Sequence, residues 1–235
     1  MRMTAGRVIM LAGLAVLSGC GGKDTPAPVT ATFTDTRDGK IYKTVTINGK
    51  NWFAENVNYD IPNDTLDVCY NNDTVNCAKY GRLYDWFAAK QAACPVGWRL
   101  PDSAEWAALV AFAGGKETAG KKLKAKSGWD GGYKGKANKP ANGTDDYGFA
   151  ALPGGYRLFD DAFVWGGSMG FWWSATEDVR DDVDPYFQIG ITEEYVKMKK
   201  AFEWSMSCID HRVIRNGLGS KAMLRYSVRC VEERF

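Results

Sequence analysis

The sequence predicts an α+β fold in which antiparallel strands carry helices grouped on one side. Three observations predict it. Alternating apolar residues between Asp-Gly and Asn-Gly pairs open the folded part, two helical patterns occupy the middle, and turn-separated strand patterns run to the C-terminus. No internal repeat or second boundary interrupts that order, so one domain over residues 33–235 is expected.

The N-terminus reads as an export signal. Arg2 and Arg7 supply positive charge before an apolar run at residues 8–17, which Leu17-Ser18-Gly19-Cys20 follows. That run is well short of the roughly 20 residues a membrane-spanning helix needs. The four closing residues resemble a bacterial lipobox, which implies cleavage before Cys20 and acyl chains, palmitate among them, on that cysteine. Residues 1–19 are therefore expected to be a signal peptide, and residues 20–32, rich in Gly, Pro and Thr, a lipidated tether. Gly21 after the cysteine is compatible with sorting to the outer membrane, and Lys23-Asp24 is similar to surface-export signals. The expected location is the cell outer membrane, lipid-anchored and surface-exposed.

Ile41, Lys43, Val45 and Ile47 alternate with Tyr42, Thr44 and Thr46 as a strand, bounded by turns at Asp38-Gly39 and Asn48-Gly49. Residues 51–57 return as a third strand. A first helix is expected over 83–93, stopped by Cys94-Pro95. The second is marked by Asp102 as N-cap and Glu105 three residues on, with Trp106, Leu109, Val110 and Ala113 on one stripe. Gly114-Gly115 ends it. Residues 116–147 form a polar excursion with a short helix near 119–126, and strands are expected at 149–152, 170–176, 185–191, 195–202 and 224–231.

Of 235 residues, 30 are Lys or Arg and 28 are Asp or Glu; loss of Arg2 and Arg7 with the signal leaves the two counts equal. A near-zero net charge gives no positive field for nucleic acid, so no nucleic-acid partner is expected. Five cysteines besides Cys20 remain in an exported chain, and disulfides are the expected use. Cys69 and Cys77 bracket a polar, turn-like stretch suited to a local bridge. Cys94, Cys208 and Cys230 leave one odd thiol. With no CxxC pair, a single histidine at His211 and no EF-hand spacing in the acidic run 177–184, neither metal nor cofactor is expected.

Seven phrases occur in order: Gly39-Lys40-Ile41-Tyr42-Lys43-Thr44-Val45, Trp52-Phe53-Ala54-Glu55-Asn56, Tyr80-Gly81-Arg82-Leu83-Tyr84, Cys94-Pro95-Val96-Gly97-Trp98-Arg99-Leu100-Pro101, the run from Tyr147 to Arg157, Trp172-Trp173-Ser174-Ala175-Thr176, and Ser227-Val228-Arg229-Cys230-Val231. Together, from about residue 35 to the end, they resemble the Fibrobacter succinogenes major paralogous domain, a family of bacterial surface lipoproteins. The resemblance implies a C-type lectin-like fold, shared with formylglycine-generating-enzyme-like domains, with two helices and long loops on antiparallel strands. It also implies a bridge from Cys94 to Cys230, closing a loop of about 135 residues that the chain-entropy model values near 5 kcal/mol. Cys208 falls outside the family pattern, either free and buried or an alternative partner for Cys94.

Catalysis finds little to stand on. Cys208-Ile209-Asp210-His211 is the one place where Cys, Asp and His come together, and it matches no nucleophile motif. The late cysteines are not spaced like the reactive pair of the formylglycine-generating enzymes, so the resemblance does not carry that activity. Aromatic residues are the better lead, since rings form flat sugar- or protein-binding faces. Trp165 sits in a glycine-rich loop read as mobile, and Trp129 and Tyr133 lie among glycines. Adjacent Trp172 and Trp173 point to opposite faces of a strand, so one belongs to the core and the other, Trp173, is a ligand candidate. The expectation is a non-catalytic binding or adhesion lipoprotein, with a polysaccharide or a surface protein as partner. A structural or assembly role in the cell envelope is the alternative, and a formylglycine-generating-type enzyme a third.

Overall fold

Asn48 and Gly49 both adopt positive φ, 48° and 73°, which lets the chain reverse in two residues between Ile47 and Lys50. In this computed structural model, which describes residues 30–62, 67–130, 132–133, 136–137, 142–178 and 200–233, that hairpin is the centre of the larger sheet. Strands β1 (Thr30–Thr34), β2 (Ile41–Ile47) and β3 (Lys50–Phe53) come first. Short pairs follow at β4 (Asp67–Val68) and β5 (Leu83–Tyr84), then β6 (Trp98–Arg99), β7 (Gly132–Tyr133), β8 (Lys136–Ala137), β9 (Tyr156–Arg157) and β10 (Phe163–Val164). The long strands β11 (Met169–Asp178), β12 (Lys200–Ser207) and β13 (Val213–Ser220) precede the closing β14 (Val231–Glu232).

The larger sheet has the order β1-β2-β3-β14-β6, so the last strand returns beside the first hairpin, and every pair in it is antiparallel. The second sheet is β11-β12-β13, also antiparallel. A parallel bridge from Trp172 to Ser227 joins this sheet to the segment leading into β14. The fold is mixed α and β with mostly antiparallel strands and few helices.

Four α-helices occur among the described residues, where two and a short third near 119–126 are expected. Helix α1 (Thr74–Tyr80) occupies the stretch between Cys69 and Cys77 that reads as a turn. Asp73 starts it by accepting from Val75 N at 2.9 Å, and Gly81 ends it at φ 76°, where an added Cβ would meet Val57 O at 2.6 Å. Helix α2 (Trp86–Ala88) continues as a π-helical turn over Ala89–Ala93, so the expected helix at 83–93 begins only after the β5 residues. Helix α3 (Ser103–Phe112) carries the expected capping box: Asp102 accepts from Glu105 N, and Glu105 accepts from Asp102 N. Burial alone would raise the Glu105 carboxyl, but hydrogen bonds from Arg99 and Lys50 outweigh it and hold the pKa at about 2. Helix α4 (Ala119–Leu123) is the short helix of the excursion.

Other elements shift. β1 begins at Thr30, inside the stretch read as tether, and pairs Thr30 with Val45. Residues 149–152 make only one bridge, Ala151 to Lys124, and within 224–231 the ladder proper begins at Val231. β13 was not expected at all. The signal, Cys20 and the strand expected at 185–191 lie outside the described residues, as does part of 195–202.

Two apolar clusters sandwich the second sheet. Trp172, Trp204, Met206 and Val213 face one, with Trp52, Trp106 and Phe149; Phe171 and Trp173 face the other, with Tyr84, Trp98 and Tyr226. Opposite-facing neighbours on a strand are therefore both core, and Trp172 and Trp173 are each fully buried. Both expected bridges are present, Cys69–Cys77 and Cys94–Cys230, while Cys208 is free and buried.

Between the clusters lies a guanidinium. Arg229 is fully buried and donates from Nε to Asn56 Oδ1 (2.7 Å), from Nη1 to Phe53 O and Phe149 O, and from Nη2 to Ala150 O. Asn56 Oδ1 also accepts from Trp172 Nε1 at 2.9 Å, and Asn56 Nδ2 donates to Tyr80 O at 2.7 Å. Burial pushes the Arg229 pKa down to about 9, against the pull of Glu55 and Asp145. Replacing Arg229 with Met would strand these buried acceptors, each costing about 1–3 kcal/mol. Urea unfolding should show a loss of at least about 3 kcal/mol; a variant within 1 kcal/mol of the parent would contradict the role given to this network.

Candidate functional site

The turn from β10 into β11 and the hairpin turn from β12 into β13 flank a groove of about 230 Å³. Trp165 stands on one side and is 42% exposed. Its φ is 62°, a left-handed conformation that bulky residues seldom adopt and that concentrates at functional sites. The turn holds it there. Ser168 N and Met169 N both donate to Trp165 O, Gly166 N to Tyr70 Oη, and Gly167 N to Pro153 O.

The glycines serve close contact rather than mobility. A Cβ on Gly166 would lie 2.5 Å from the Tyr70 ring, and one on Gly167 would overlap the Asp130 carboxylate. The loop read as mobile is pinned. Behind it, the Trp165 ring stacks on Phe171 (6.0 Å, 21°) and meets Tyr156 edge-on (5.8 Å, 78°), leaving its outer surface to the groove.

The opposite wall is the 208–212 turn. Ile209 and Ile214 are exposed apolar residues there, and Asp210 and Arg212 form an ion pair, Nε to Oδ2 at 2.7 Å. Arg212 N also donates to Asp210 Oδ1, fixing the carboxylate. Ser205 and Ser207 of β12 supply hydroxyls along the floor. Beneath the turn, Lys124 donates from Nζ to Ser207 O (3.0 Å) and Asp210 O (2.7 Å). Burial lowers its pKa to about 8, with Asp210 and Cys208 opposing. The arrangement offers one aromatic plate, a fixed carboxylate, a guanidinium, hydroxyls and an apolar rim, a combination suited to a polar ligand with a flat apolar face.

Of the three ring candidates whose side chains are described, only Trp165 reaches this groove. Trp129 is 3% exposed, its Nε1 donates to Ala151 O at 3.0 Å, and Lys124 lies 5.0 Å over its ring. Trp173 has no exposed surface; Nε1 donates to Tyr84 O and the ring packs on Tyr226. Neither presents a ring to a ligand. The backbone of Tyr133 lies in β7, but its side chain is outside the described residues. No residue pattern marks Ile209, Asp210 or Arg212 as lining a groove, and Ile214 lies in β13, whose strand pattern Gly217 and Gly219 interrupt.

Burial raises the Cys208 thiol, and burial together with Lys124 and Lys121 lowers His211. Of the acidic run, Glu177 pairs with Lys221 at 2.6 Å, and 179–184 lie outside the described residues. Among the described residues no three metal-ligating side chains gather, and no helix is long and apolar enough to cross a membrane. A larger cleft of about 520 Å³ runs between β2 and the end of α1, but its polar groups are largely spoken for. Lys40 binds Asp38 and Asn58 O, Tyr42 Oη accepts from Asn58 N, and Asn56 belongs to the Arg229 network.

The model of the Fibrobacter succinogenes major domain matches residues 45–232. No curated protein and no solved structure matches the chain.

The two tryptophan environments separate by stability. Trp173→Ala should cost about 3–5 kcal/mol in chemical unfolding, as large-to-small changes in a packed core do. Trp165→Gly should unfold no more readily than Trp165→Ala, since glycine relieves a positive-φ strain of about 1–2 kcal/mol. An alanine variant clearly more stable than the glycine one would argue against the strained turn.

Proposed function

This chain belongs to the Fibrobacter succinogenes major domain family, and from that premise we propose a lipid-anchored surface protein whose single C-type lectin-like domain binds carbohydrate without catalysis. The observation that carries the sugar reading is Trp165: an exposed indole held in a strained turn by hydrogen bonds and backed by two further rings. A pyranose lays its C–H face on such a plate, while its hydroxyls need fixed acceptors and donors, which Asp210, Ser207 and Arg212 supply.

The lectin-like fold draws support from the Cys94–Cys230 bridge, which joins the segment after α2 to the approach to β14. The anchor rests on the order of charge, apolar run and Leu17-Ser18-Gly19-Cys20. Gly21, compatible with outer-membrane sorting, and Lys23-Asp24, similar to surface-export signals, support placement in the outer membrane facing outward. Two disulfides suit an oxidising compartment.

Two measurements test these halves separately. The full chain in detergent, spread on a polysaccharide array, should retain at least one glycan, and Trp165→Ala should weaken that binding about tenfold or more, the scale of a lost stacking contact with its desolvated surroundings. Retention of no glycan, alongside capture of a defined envelope protein, would replace the sugar with a protein partner. In cell fractionation, Cys20→Ser should move the protein out of the membrane pellet; unchanged partitioning would contradict lipid anchoring.

A further inference from the structure

Arg212 keeps donors in reserve. Its Nε and backbone N both go to Asp210, and Nη1 and Nη2 have no partner among the described residues. The side chain is 52% exposed on the groove wall. Because Asp210 grips the Nε edge, the terminal nitrogens are held in a fixed plane rather than swinging freely.

The charge around them is positive. Asp210 is offset by Arg212, whereas the Lys124 ammonium beneath the same turn is hydrogen-bonded to the carbonyls of Ser207 and Asp210 and is paired with no carboxylate among the described residues. Lys121 adds to this field, since both lysines disfavour the protonated form of His211. Glu117 is the acid that acts on Arg212 from outside the turn. Four cations, Arg212, Lys124, Lys121 and Lys116, the last paired with Glu117, thus stand against three carboxylates, Asp210, Glu117 and Asp130.

A neutral sugar would offer the reserved nitrogens only uncharged hydroxyl acceptors and would leave this field unused. A planar carboxylate on the sugar ring would engage them through paired, charge-assisted hydrogen bonds. We infer that the groove takes an acidic sugar, a hexuronate whose ring lies on Trp165 and whose carboxylate lies on the Arg212 Nη1 and Nη2 nitrogens. The inference deepens the carbohydrate reading and rests on it.

The test pairs each acid with its own ester. Oligogalacturonate and a glucuronate-bearing oligosaccharide are titrated into the full chain in detergent, each beside its methyl ester and beside a neutral gluco-oligosaccharide. At least one acid should bind about tenfold or more tightly than its ester, the scale of a charge-assisted contact, and added salt should shrink the gap. Arg212→Gln should abolish the gap between acid and ester, whatever it does to the affinity for the ester itself. Arg212→Lys should recover only part of it, because the charge remains and the fork is lost. Trp165→Ala should weaken acid and ester alike. Esters binding as tightly as acids, or a gap that survives Arg212→Gln, would overturn the inference and leave the carbohydrate reading standing. Binding of none of these sugars would overturn the inference, and binding of no glycan on the array would remove the reading beneath it.

Discussion

A charged guanidinium sealed among backbone carbonyls sets the terms for the rest of the fold. No carboxylate touches Arg229; its partners are Asn56 and the carbonyls of Phe53, Phe149 and Ala150. A buried cation without such partners would be prohibitively costly, so the three segments around residues 53–56, 149–150 and 229 can meet only in this register. Asn56 then passes the constraint on, to Trp172 through its oxygen and to Tyr80 through its nitrogen. Segments as distant as residues 53, 80, 150, 172 and 229 are fixed by one polar knot. Its members fall within the phrases that mark the family, which explains why residues so far apart in sequence occur together.

The knot also decides which parts of the chain are free to carry function. Around it, Trp52, Trp106, Phe149 and Trp172 fill one cluster and Trp98, Trp173 and Tyr226 the other, so most of the rings are committed to packing. An aromatic-rich composition therefore says little about ligand binding here. Trp165 differs because its turn projects it from the sheet while Phe171 and Tyr156 support it from behind. Placing a strained aromatic on a rigid backing lowers the ordering cost a ligand would otherwise impose.

What could be seen in the sequence was local. Asn48-Gly49 specifies its own hairpin, and Asp102 with Glu105 specifies its own helix start, because each depends on atoms within a few residues. The Cys94–Cys230 bridge was accessible only through the family resemblance. What could not be seen depends on distant partners. Trp129 and Trp165 both lie near glycines, yet one is buried over Ala151 and the other exposed, and only the positions of Tyr70, Asp130 and Lys124 distinguish them. No strand is expected at β13 because glycines break its pattern, but Gly219 is small for a reason two strands away: a Cβ there would meet the Trp173 ring at 2.5 Å. Helix α1 was hidden by polar residues that are poor helix formers, and Asp73 as its cap and Cys69–Cys77 as its clamp compensate.

The same device that locks the core also fastens the groove. Lys124, like Arg229, is a buried cation with carbonyl partners, and those carbonyls belong to the 208–212 turn that carries Asp210 and Arg212. Gly120 reinforces the attachment: its N donates to His211 O, and an added Cβ would come within 2.6 Å of that oxygen. The turn is thus tied from below to α4, while the facing turn is tied to Tyr70 and Pro153. With both walls held by the body of the domain, the separation of indole and guanidinium is a property of the fold. A groove of fixed span would select a ligand by shape and charge together, which is the physical ground for proposing a defined sugar over general surface adhesion.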